Sequence, residues 1–241
     1  MLHRFYIHSS PTTDKDIIIS ERPIIKQLLS VLRIEEGSKF VVFDNTGYEY
    51  EVQARKVERE YIHADILEKR SGNREPKHQV ILYQSLLKSD HFEFVLQKGV
   101  EIGVSSFVPI ITSRTIVGSI HENKFKRYEK IIIEATEQCG GVRIARLEKP
   151  TRFATALKRM NKKDESLIAW EGEKRVNLCD YLDRCNIRQG CTFHVFIGPE
   201  GGFTENEIDI AKQHKLISVS LGKRILRSET AALAVSSKLL L

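Results

Sequence analysis

The chain has 241 residues, of which 41% are hydrophobic and 29% charged, and its formal net charge at pH 7 is +6. This length and composition suffice to bury a hydrophobic core, and they exclude a disordered or low-complexity protein. No apolar run approaches the roughly 20 residues of a membrane helix, and the N-terminus lacks the apolar core of a signal peptide. We therefore expect a soluble, cytoplasmic protein without a membrane partner.

The cysteines and histidines predict no metal site. The four cysteines are widely spaced and form no C-x-x-C pair: Cys139, Cys179, Cys185 and Cys191. Neither a disulfide framework nor a zinc site has this spacing. The eight histidines are also scattered, so we expect free thiols and no metal.

The positive charge is concentrated in one part of the chain. Residues 1–72 hold 11 basic and 12 acidic residues, whereas residues 112–163 hold 13 basic and 5 acidic residues. A local basic excess is typical of a surface that binds a polyanion, most often a nucleic acid. A solvated helical face is the alternative interpretation.

The first seventy residues predict a small β-barrel-like module. β-rich or alternating segments occupy residues 39–43, 48–52 and 61–67, and residues 23–32 favour a helix. Residues 69–76 are polar and contain both glycine and proline. We interpret them as the linker to a second domain.

The remainder of the chain alternates between strand and helix patterns. Predicted strands lie at residues 79–86, 107–111, 166–170, 192–197 and 217–221. Predicted helices lie at residues 89–102, 124–139 and 205–214, and from residue 228 to the end, with Ser89 as a candidate cap of the first. Such alternation favours an α/β fold with a mostly parallel sheet.

Residues 197–207 read I-G-P-E-G-G-F-T-E-N-E and follow a predicted strand. Thr204 and Glu207 form a capping box, which predicts that a helix begins here. A loop so rich in glycine lets its backbone approach a ligand closely, although a tight strand-to-helix turn has the same composition. No Lys-Ser/Thr follows the glycines and their spacing is not G-x-G-x-x-G, which excludes a P-loop and a dinucleotide fingerprint.

Residues 221–232 read L-G-K-R-I-L-R-S-E-T-A-A and connect another predicted strand to the last helix. Arg224 and Arg227 are three positions apart, so both guanidinium groups can face a phosphate or a developing anion. Solvated arginines in a surface loop are the alternative.

Together these motifs resemble the signature of the RsmE family of 16S rRNA uridine-N3 methyltransferases, in the SPOUT superfamily. The family's I-G-P-E-G-G loop is complete at 197–202, and its L-G-x-R-[IV]-L-R-x-E-T-A stretch is complete at 221–231. The resemblance continues in L-Q-K-G-V-E-I-G-V at 96–104 and E-A-T-E-Q-C-G at 134–140. It therefore spans most of the chain.

The resemblance implies a PUA-like, RNA-binding β-barrel at residues 1–72 and a SPOUT α/β domain at 73–241. It further implies a C-terminal trefoil knot in roughly residues 166–241 that binds S-adenosyl-L-methionine, and a homodimer formed through the knot domain. The implied reaction is methylation of N3 of one uridine in 16S rRNA, within the small ribosomal subunit or its precursor.

The resemblance and the motifs together nominate site residues. The candidate cofactor residues are Glu171, Gly172, Ile197, Gly198, Pro199, Gly201, Leu221, Gly222, Ile225, Leu226, Arg227, Thr230 and Ala231. The candidate catalytic residues are Arg227 and then Arg224, whose charge would stabilise a uracil anion. The candidate RNA-binding residues are Arg4, Arg33, Lys88, Arg114, Lys124, Arg127 and Arg143.

Two points of chemistry stay open at this stage. No general base is identifiable, and Cys139 is interpreted as a packed thiol because methylation at nitrogen needs no covalent adduct. Gly141 stands where the family usually carries arginine, so the RNA contact of this loop is not defined. The alternative functions are a SPOUT methyltransferase with another RNA target and a non-catalytic RNA-binding or ribosome-assembly protein.

Overall fold

The computed structural model of the chain describes residues 2–8, 15–184 and 190–241. Contacts between residues divide the chain into two compact units. The first unit holds Met1–Glu75 and Thr136–Ile144, and the second holds Pro76–Ala135 and Ala145–Leu241. Cys185, one of the predicted free thiols, lies outside the described residues.

The first unit is a curled five-stranded sheet with a short helix. Its strands are β1 (Arg4–Tyr6), β2 (Asp16–Ile19), β3 (Lys39–Phe43), β4 (Tyr48–Val57) and β5 (Ile62–Ser71), in the order β1-β3-β4-β5-β2. Helix α1 (Arg22–Lys26) continues into a π-helical turn, Gln27–Val31. The pairing of β4 with β5 shifts register twice, and such irregularities bend a sheet around its core.

The predicted β-strand content of this unit is confirmed as a curled sheet, and the predicted strand bounds are incomplete. Strand β3 has the predicted bounds, whereas β4 and β5 extend beyond them. The predicted linker at 69–76 is wrong at its start, because residues 69–71 pair with β4 as the end of β5. Charged residues at the exposed end of a hairpin look like a linker when only their composition is read.

Residues 136–144 pack with the sheet of the first unit. The backbone N–H of Tyr6 donates to Glu137 at 2.9 Å, and that of Ile144 donates to the Asn45 side chain at 2.8 Å. The Arg4 guanidinium forms an ion pair with Glu49 and donates to the Gly141 carbonyl at 3.0 Å. These bonds assign residues 136–144 to the first compact unit, although they follow a long stretch of the second in the chain.

The second unit is built on a seven-stranded sheet in which every described pairing is parallel. Its strands are β6 (Gln79–Ser85), β7 (Ser106–Ile111), β8 (Arg146–Leu147), β9 (Thr151–Arg152), β10 (Glu165–Ala169), β11 (Thr192–Ile197) and β12 (Ile217–Val219). The order is β12-β10-β11-β6-β7-β8, with β9 also on β7. The predicted parallel α/β fold is confirmed.

The helices of this unit include four that were predicted and two that were not. They are α2 (His91–Ile102), α3 (Glu122–Cys139), α4 (Phe153–Arg159), α5 (Leu178–Arg184), α6 (Glu205–Gln213) and α7 (Ser228–Leu240). Helix α6 begins with the predicted capping box of Thr204 and Glu207. The prediction that Ser89 caps α2 is wrong, because Asp90 is the N-cap residue and makes no capping side-chain bond.

The two faces of the sheet carry different chemistry. Tyr83 of β6 packs with Phe153, Phe196 and Phe203 beneath α4 and α6. The next residue, Gln84, points to the opposite face, because side chains alternate along a strand, and it bonds to Ser228 at the start of α7. Helices α2 and α7 therefore cover the face opposite α4 and α6.

The strand order is not the chain order, and this places three loops together. Strand β11 pairs with β10 on one side and with β6 on the other, and β12 then pairs on the outer side of β10. From this edge the chain returns to α7, which packs on β6 and β11. The loops after β10, β11 and β12 consequently meet at the carboxyl ends of their strands.

A buried histidine lies inside the sheet, between Tyr83 and Asp164. The Tyr83 hydroxyl is 3.1 Å from Nδ1 of His194, and Nε2 of His194 is 3.2 Å from the Asp164 carboxylate. Burial lowers the pKa of His194 despite the opposing effect of Asp164, and burial raises the pKa of Tyr83 to about 12. His194 is therefore held neutral, accepting from Tyr83 and donating to Asp164.

We predict that acid destabilises the fold through His194. Its pKa lies below the value of 6.5 that it has when unfolded, so the unfolded chain binds the proton first. The stability is complete above pH 6.5 and is lost as the pH falls through the pKa of the folded state. Chemical denaturation of the wild type and of His194→Asn across this range measures the effect.

The matched control for this prediction is His121→Gln, which removes an exposed histidine. It should keep the wild-type dependence of the unfolding free energy on pH, whereas His194→Asn should flatten it. Equal slopes for the wild type and His194→Asn would contradict the assignment.

Candidate functional site

A cavity of about 480 Å³ opens at the carboxyl ends of β10, β11 and β12. Its size lies within the range of small-ligand sites, about 300–1,000 Å³. Its position is the one at which parallel α/β sheets bind ligands. The cavity lies entirely within the second unit.

The glycine-rich loop after β11 forms one wall of the cavity. Gly198 and Pro199 are buried, and the Gly202 N–H donates to the Pro199 carbonyl at 2.9 Å, which closes a tight turn. Gly202 has a φ of +69°, and a Cβ there would lie 2.2 Å from a Glu171 carboxylate oxygen. The loop therefore fits directly beneath the segment that follows β10.

Glu200 ties this loop to the start of α2. Its carboxylate accepts from the backbone N–H of Lys88 at 3.0 Å. Across the turn, the Arg114 guanidinium donates to the Gly201 carbonyl at 2.7 Å. The loop is thus held by polar contacts from two neighbouring loops.

The segment between β12 and α7 forms the opposite wall. Leu221 and Leu226 are half-buried, whereas Arg224 and Arg227 are exposed, and all four line the cavity. Gly222 has a φ of +115° and open space where a Cβ would lie. With Lys223, which also lines the cavity, this wall offers apolar side chains, three cations and accessible backbone to a bound molecule.

Ser228 joins the elements that surround the cavity. Its buried hydroxyl donates to the Gly198 carbonyl and accepts from the Gln84 side-chain amide at 2.9 Å. Gln84 is fully buried and also donates to the Ser85 carbonyl at 3.0 Å. One side chain thus connects the end of β6, the glycine-rich loop and the first turn of α7.

A second polar pair reaches the cavity from two helices. Nδ1 of His91, at the start of α2, is 3.1 Å from a Glu229 carboxylate oxygen in the first turn of α7. Both residues line the cavity. His91 was not among the predicted site residues, because a single histidine after a polar loop carries no signal without its partner.

The cavity brings together most of the predicted cofactor residues. Of the thirteen candidates, only Gly172 and Thr230 are absent from its lining. Gly172 lies against the Trp170 ring, where a Cβ would be 2.4 Å from the nearest ring carbon, and Thr230 is exposed on α7. The lining residues that were not candidates of any kind are His91, Ala169, Trp170, Glu200, Gly202, Phe203, Ser220, Lys223, Ser228 and Glu229.

The candidate RNA-binding residues of the first unit differ in exposure. The Arg4 side chain is only 9% exposed and is occupied by Glu49 and Gly141. Arg143 is exposed and donates to the Thr46 carbonyl at 3.4 Å. Arg33 is exposed with a φ of +52°. Arg4 therefore fastens the unit internally, and the other two lie at its surface.

The candidate RNA-binding residues of the second unit are at or near the surface. Lys88 and Arg114 are exposed beside the glycine-rich loop. Arg127 of α3 bonds to Glu93 of α2 at 2.7 Å, and Lys124 lies with its Nζ 5.8 Å from the centre of the Tyr128 ring. Among the residues that the structure describes, Arg127 has a carboxylate partner and Lys124 has none.

The described ranges hold neither a metal-ion site nor a membrane-spanning helix. No group of three or more His, Cys, Asp or Glu side chains is arranged to hold a metal ion there. No helix in the same ranges is long and apolar enough to cross a membrane. Within these ranges no disulfide is formed by Cys139, Cys179 or Cys191.

The family model of an RNA methyltransferase domain matches residues 73–240, a range that includes the seven-stranded sheet and the residues that line the cavity. A ribosomal RNA small subunit methyltransferase E from Mesomycoplasma hyopneumoniae is 37% identical over 179 residues, which cover 73% of this chain and 75% of that protein. The enzyme of the same name from Bacillus subtilis is 28% identical over 87% of this chain and 84% of its own length. The chain belongs to the ribosomal RNA small subunit methyltransferase E family, RsmE.

Solved structures agree with this membership. A ribosomal RNA small subunit methyltransferase E from Neisseria gonorrhoeae, bound to S-adenosyl methionine, superposes with a TM-score of 0.88 at 29% identity. The superposition covers 99% of this chain and 96% of the Neisseria gonorrhoeae chain. A methyltransferase from Legionella pneumophila in complex with the same cofactor has a TM-score of 0.87 at 29% identity, over 99% and 97% of the two chains.

We predict that Ser228→Ala loosens the elements around the cavity, and so lowers both the stability of the fold and its affinity for the cofactor. The change removes a donor to the Gly198 carbonyl and one of the two acceptors of the Gln84 amide, and each lost bond to a buried group costs about 1–3 kcal/mol. Chemical denaturation should show the loss of stability, and calorimetry should show weaker binding of S-adenosyl-L-methionine.

Ser236→Ala is the matched control. Ser236 lies on the same helix and is fully buried, and its hydroxyl has no hydrogen-bond partner among the described residues. Its removal should not lower the stability, because no hydrogen bond is lost, and it should leave cofactor binding within error of the wild type. Similar results for the two variants would refute the bridging role of Ser228.

Proposed function

We propose that this protein transfers a methyl group from S-adenosyl-L-methionine to N3 of a uridine in the 16S rRNA of the small ribosomal subunit. The observation that carries the proposal is the cavity in which both signature loops meet at the carboxyl ends of parallel strands. Relatives named for small-subunit rRNA methylation, and a neighbour bound to the cofactor, support it.

The residues of the cavity fit this cofactor. Leu221, Leu226 and Ile197 offer apolar surface to an adenine, and the glycine-rich loop offers backbone groups to its edge. Open space at Gly222 lets a ligand approach the main chain closely. The carboxylates of Glu171 and Glu200 lie in the same lining, where they complement the positive charges of the cofactor.

The proposed chemistry asks little of the protein beyond positioning and electrostatics. The bound cofactor supplies an electrophilic methyl group. The lining must hold the uracil with N3 in line with that group and stabilise the negative charge left when N3 loses its proton. Arg227 is the first candidate for this stabilisation and Arg224 the second, because both are exposed into the cavity.

The proposal also includes the roles of the two domains, a knot in the second domain and the assembly of two chains. The five-stranded unit acts as a PUA-like RNA-binding barrel at residues 1–72, and residues 73–241 form the SPOUT domain. The return of the chain from edge strand β12 to α7 supports a trefoil knot within roughly 166–241. A homodimer formed through this domain acts in the cytoplasm on the small subunit or its precursor.

Helix α3 is the proposed contact for the RNA backbone. Lys124, Lys126 and Lys130 all lie on it in the second unit, and Lys126 and Lys130 form exposed ion pairs with Glu122 and Glu134. Exposed pairs of this kind contribute little stability, so phosphates can replace the carboxylates at little cost. Tyr128 packs on Phe92 of α2, which holds this face next to the helix that begins at His91.

The test of the function has two arms. Calorimetry should detect S-adenosyl-L-methionine binding to the purified protein, and its absence would favour a non-catalytic RNA-binding protein. Deletion of the gene should remove N3-methyluridine from small-subunit rRNA, as mapped by mass spectrometry. Persistence of that nucleoside would overturn the assignment, and loss of a methyl group elsewhere would identify another RNA target.

We predict that Arg227→Ala keeps cofactor affinity and lowers the methylation rate by about 100-fold or more, the scale of losing one charge-stabilising donor. Calorimetry and a single-turnover methylation assay separate the two effects. Arg159→Ala, an exposed arginine at the end of α4 on the other face, is the control and should keep the wild-type rate. Full activity of Arg227→Ala would move the role to another residue.

We predict that the triple variant K124Q/K126Q/K130Q binds RNA more weakly. Loss of three cations that meet phosphates should also reduce the slope of log affinity against log salt by about 2–3. Filter binding at several salt concentrations measures both quantities. The control K158Q/K162Q/K163Q changes the same charge near the end of α4; an equal effect there would show that only net charge matters.

A further inference from the structure

His91 is placed to act in the reaction, although nothing in the sequence motifs selects it. It is the first residue of α2, and its side chain is 45% exposed at the cavity. Its partner Glu229 is 12% exposed. The imidazole thus faces the cavity, and the carboxylate bonded to it is largely shielded from water.

The partner determines which nitrogen of the ring is free. An ionised carboxylate only accepts hydrogen bonds, so Nδ1, at 3.1 Å from Glu229, must be the donor. In the neutral ring the lone pair then lies on Nε2. Within the described residues no second hydrogen bond to this ring is present.

Both members of the pair are fixed by other contacts. Glu229 directly follows Ser228, whose hydroxyl is bonded to Gln84 and Gly198. The loop before His91 is held by the bond from the Lys88 N–H to Glu200. Glu93, two residues further on, is held by Arg127. The imidazole is therefore held in position before a substrate binds, and a general base needs such a fixed position to take up a proton.

We propose that His91 is the general base that removes the N3 proton of the target uracil, with Glu229 as the residue that positions it. The proposal rests on the proposed function. The N3–H bond breaks and its proton moves to Nε2 of His91, while the N3 electron pair forms the new N–CH₃ bond. The sulfonium–methyl bond breaks and its electron pair remains on sulfur, which becomes a neutral thioether.

The pair divides the work with the arginines. His91 takes the proton, Glu229 stabilises the imidazolium that results, and Arg227 or Arg224 stabilises the charge on the uracil oxygens. Other charged groups face the same cavity or flank His91 in the chain. These groups are Glu171, Glu200, Lys223, Lys88 and Asp90.

The experiment measures single-turnover methylation of small ribosomal subunits that lack the modification, with saturating cofactor, across about pH 5 to 8 and above. The wild-type rate should rise with pH and reach a plateau. His91→Asn should be slower by about 100-fold or more at neutral pH and should approach the wild type in alkali, where N3 loses its proton without help. A purely structural role would not produce this recovery.

Glu229→Gln tests the positioning role. Without the carboxylate as acceptor, the ring is no longer fixed with its Nδ1–H towards residue 229, so the methylation rate should fall while the affinity for S-adenosyl-L-methionine stays at the wild-type value. In the cofactor-free protein, nitrogen NMR should show His91 as the Nδ1–H tautomer, and this signature should weaken in Glu229→Gln. His214→Asn, at the end of α6, is the control and should match the wild type.

The outcomes separate this proposal from the proposed function. A wild-type protein inactive on small-subunit rRNA would overturn both. An active wild type with an unchanged rate and pH profile in His91→Asn would overturn only the role of His91. Loss of S-adenosyl-L-methionine binding in His91→Asn, measured by calorimetry, would overturn it too, since His91 would then be a cofactor ligand.

Discussion

The arrangement of the site depends on one buried hydroxyl, that of Ser228. It accepts from Gln84 at the end of β6 and donates to Gly198 at the end of β11, and it stands at the first residue of α7. These bonds satisfy polar groups that have no access to water. They also determine where α7 begins, and therefore where Arg227 and Glu229 project.

Charge is distributed differently in the cavity and on the helical surface. Glu171, Glu200 and Glu229 face Lys223, Arg224 and Arg227 in the lining, so the cavity carries both signs. On α3, two of the lysines form ion pairs with acidic residues one turn away. The basic residues of 112–163 on α3 are therefore surface cations that can exchange their carboxylate partners for other anions. The cavity, by contrast, offers groups of both charges to a ligand that is itself charged.

Much of the second unit could be predicted because its elements are long and periodic. Strand β11 and helix α6 followed from an apolar run and a capping box, and ten of the eleven candidate cofactor residues in the two loop motifs lie at one cavity. The strands β8 and β9 were missed because two residues show no period. His91 was missed because its role depends on Glu229, far along the chain, and pairing across a fold leaves no local pattern.

The first unit was harder to predict for a related reason. Strands β1 and β2 are three and four residues long, too short for alternation to stand out. Residues 136–144 join this unit through bonds to Tyr6, Asn45 and Arg4, whose partners are fixed only once the sheet exists. A linear reading assigns such a segment to its neighbours in the chain.

The strand order also bears on how the protein reaches its native state. Gln79 of β6 pairs with Thr192 of β11, so the centre of the sheet closes only after most of the chain has been synthesised. Sheets dominated by such distant pairings fold slowly, because the entropy of loop closure opposes them before the contacts form. The cavity needs β12 and α7 as well, so the ability to bind a ligand arises only when these two elements have joined the sheet.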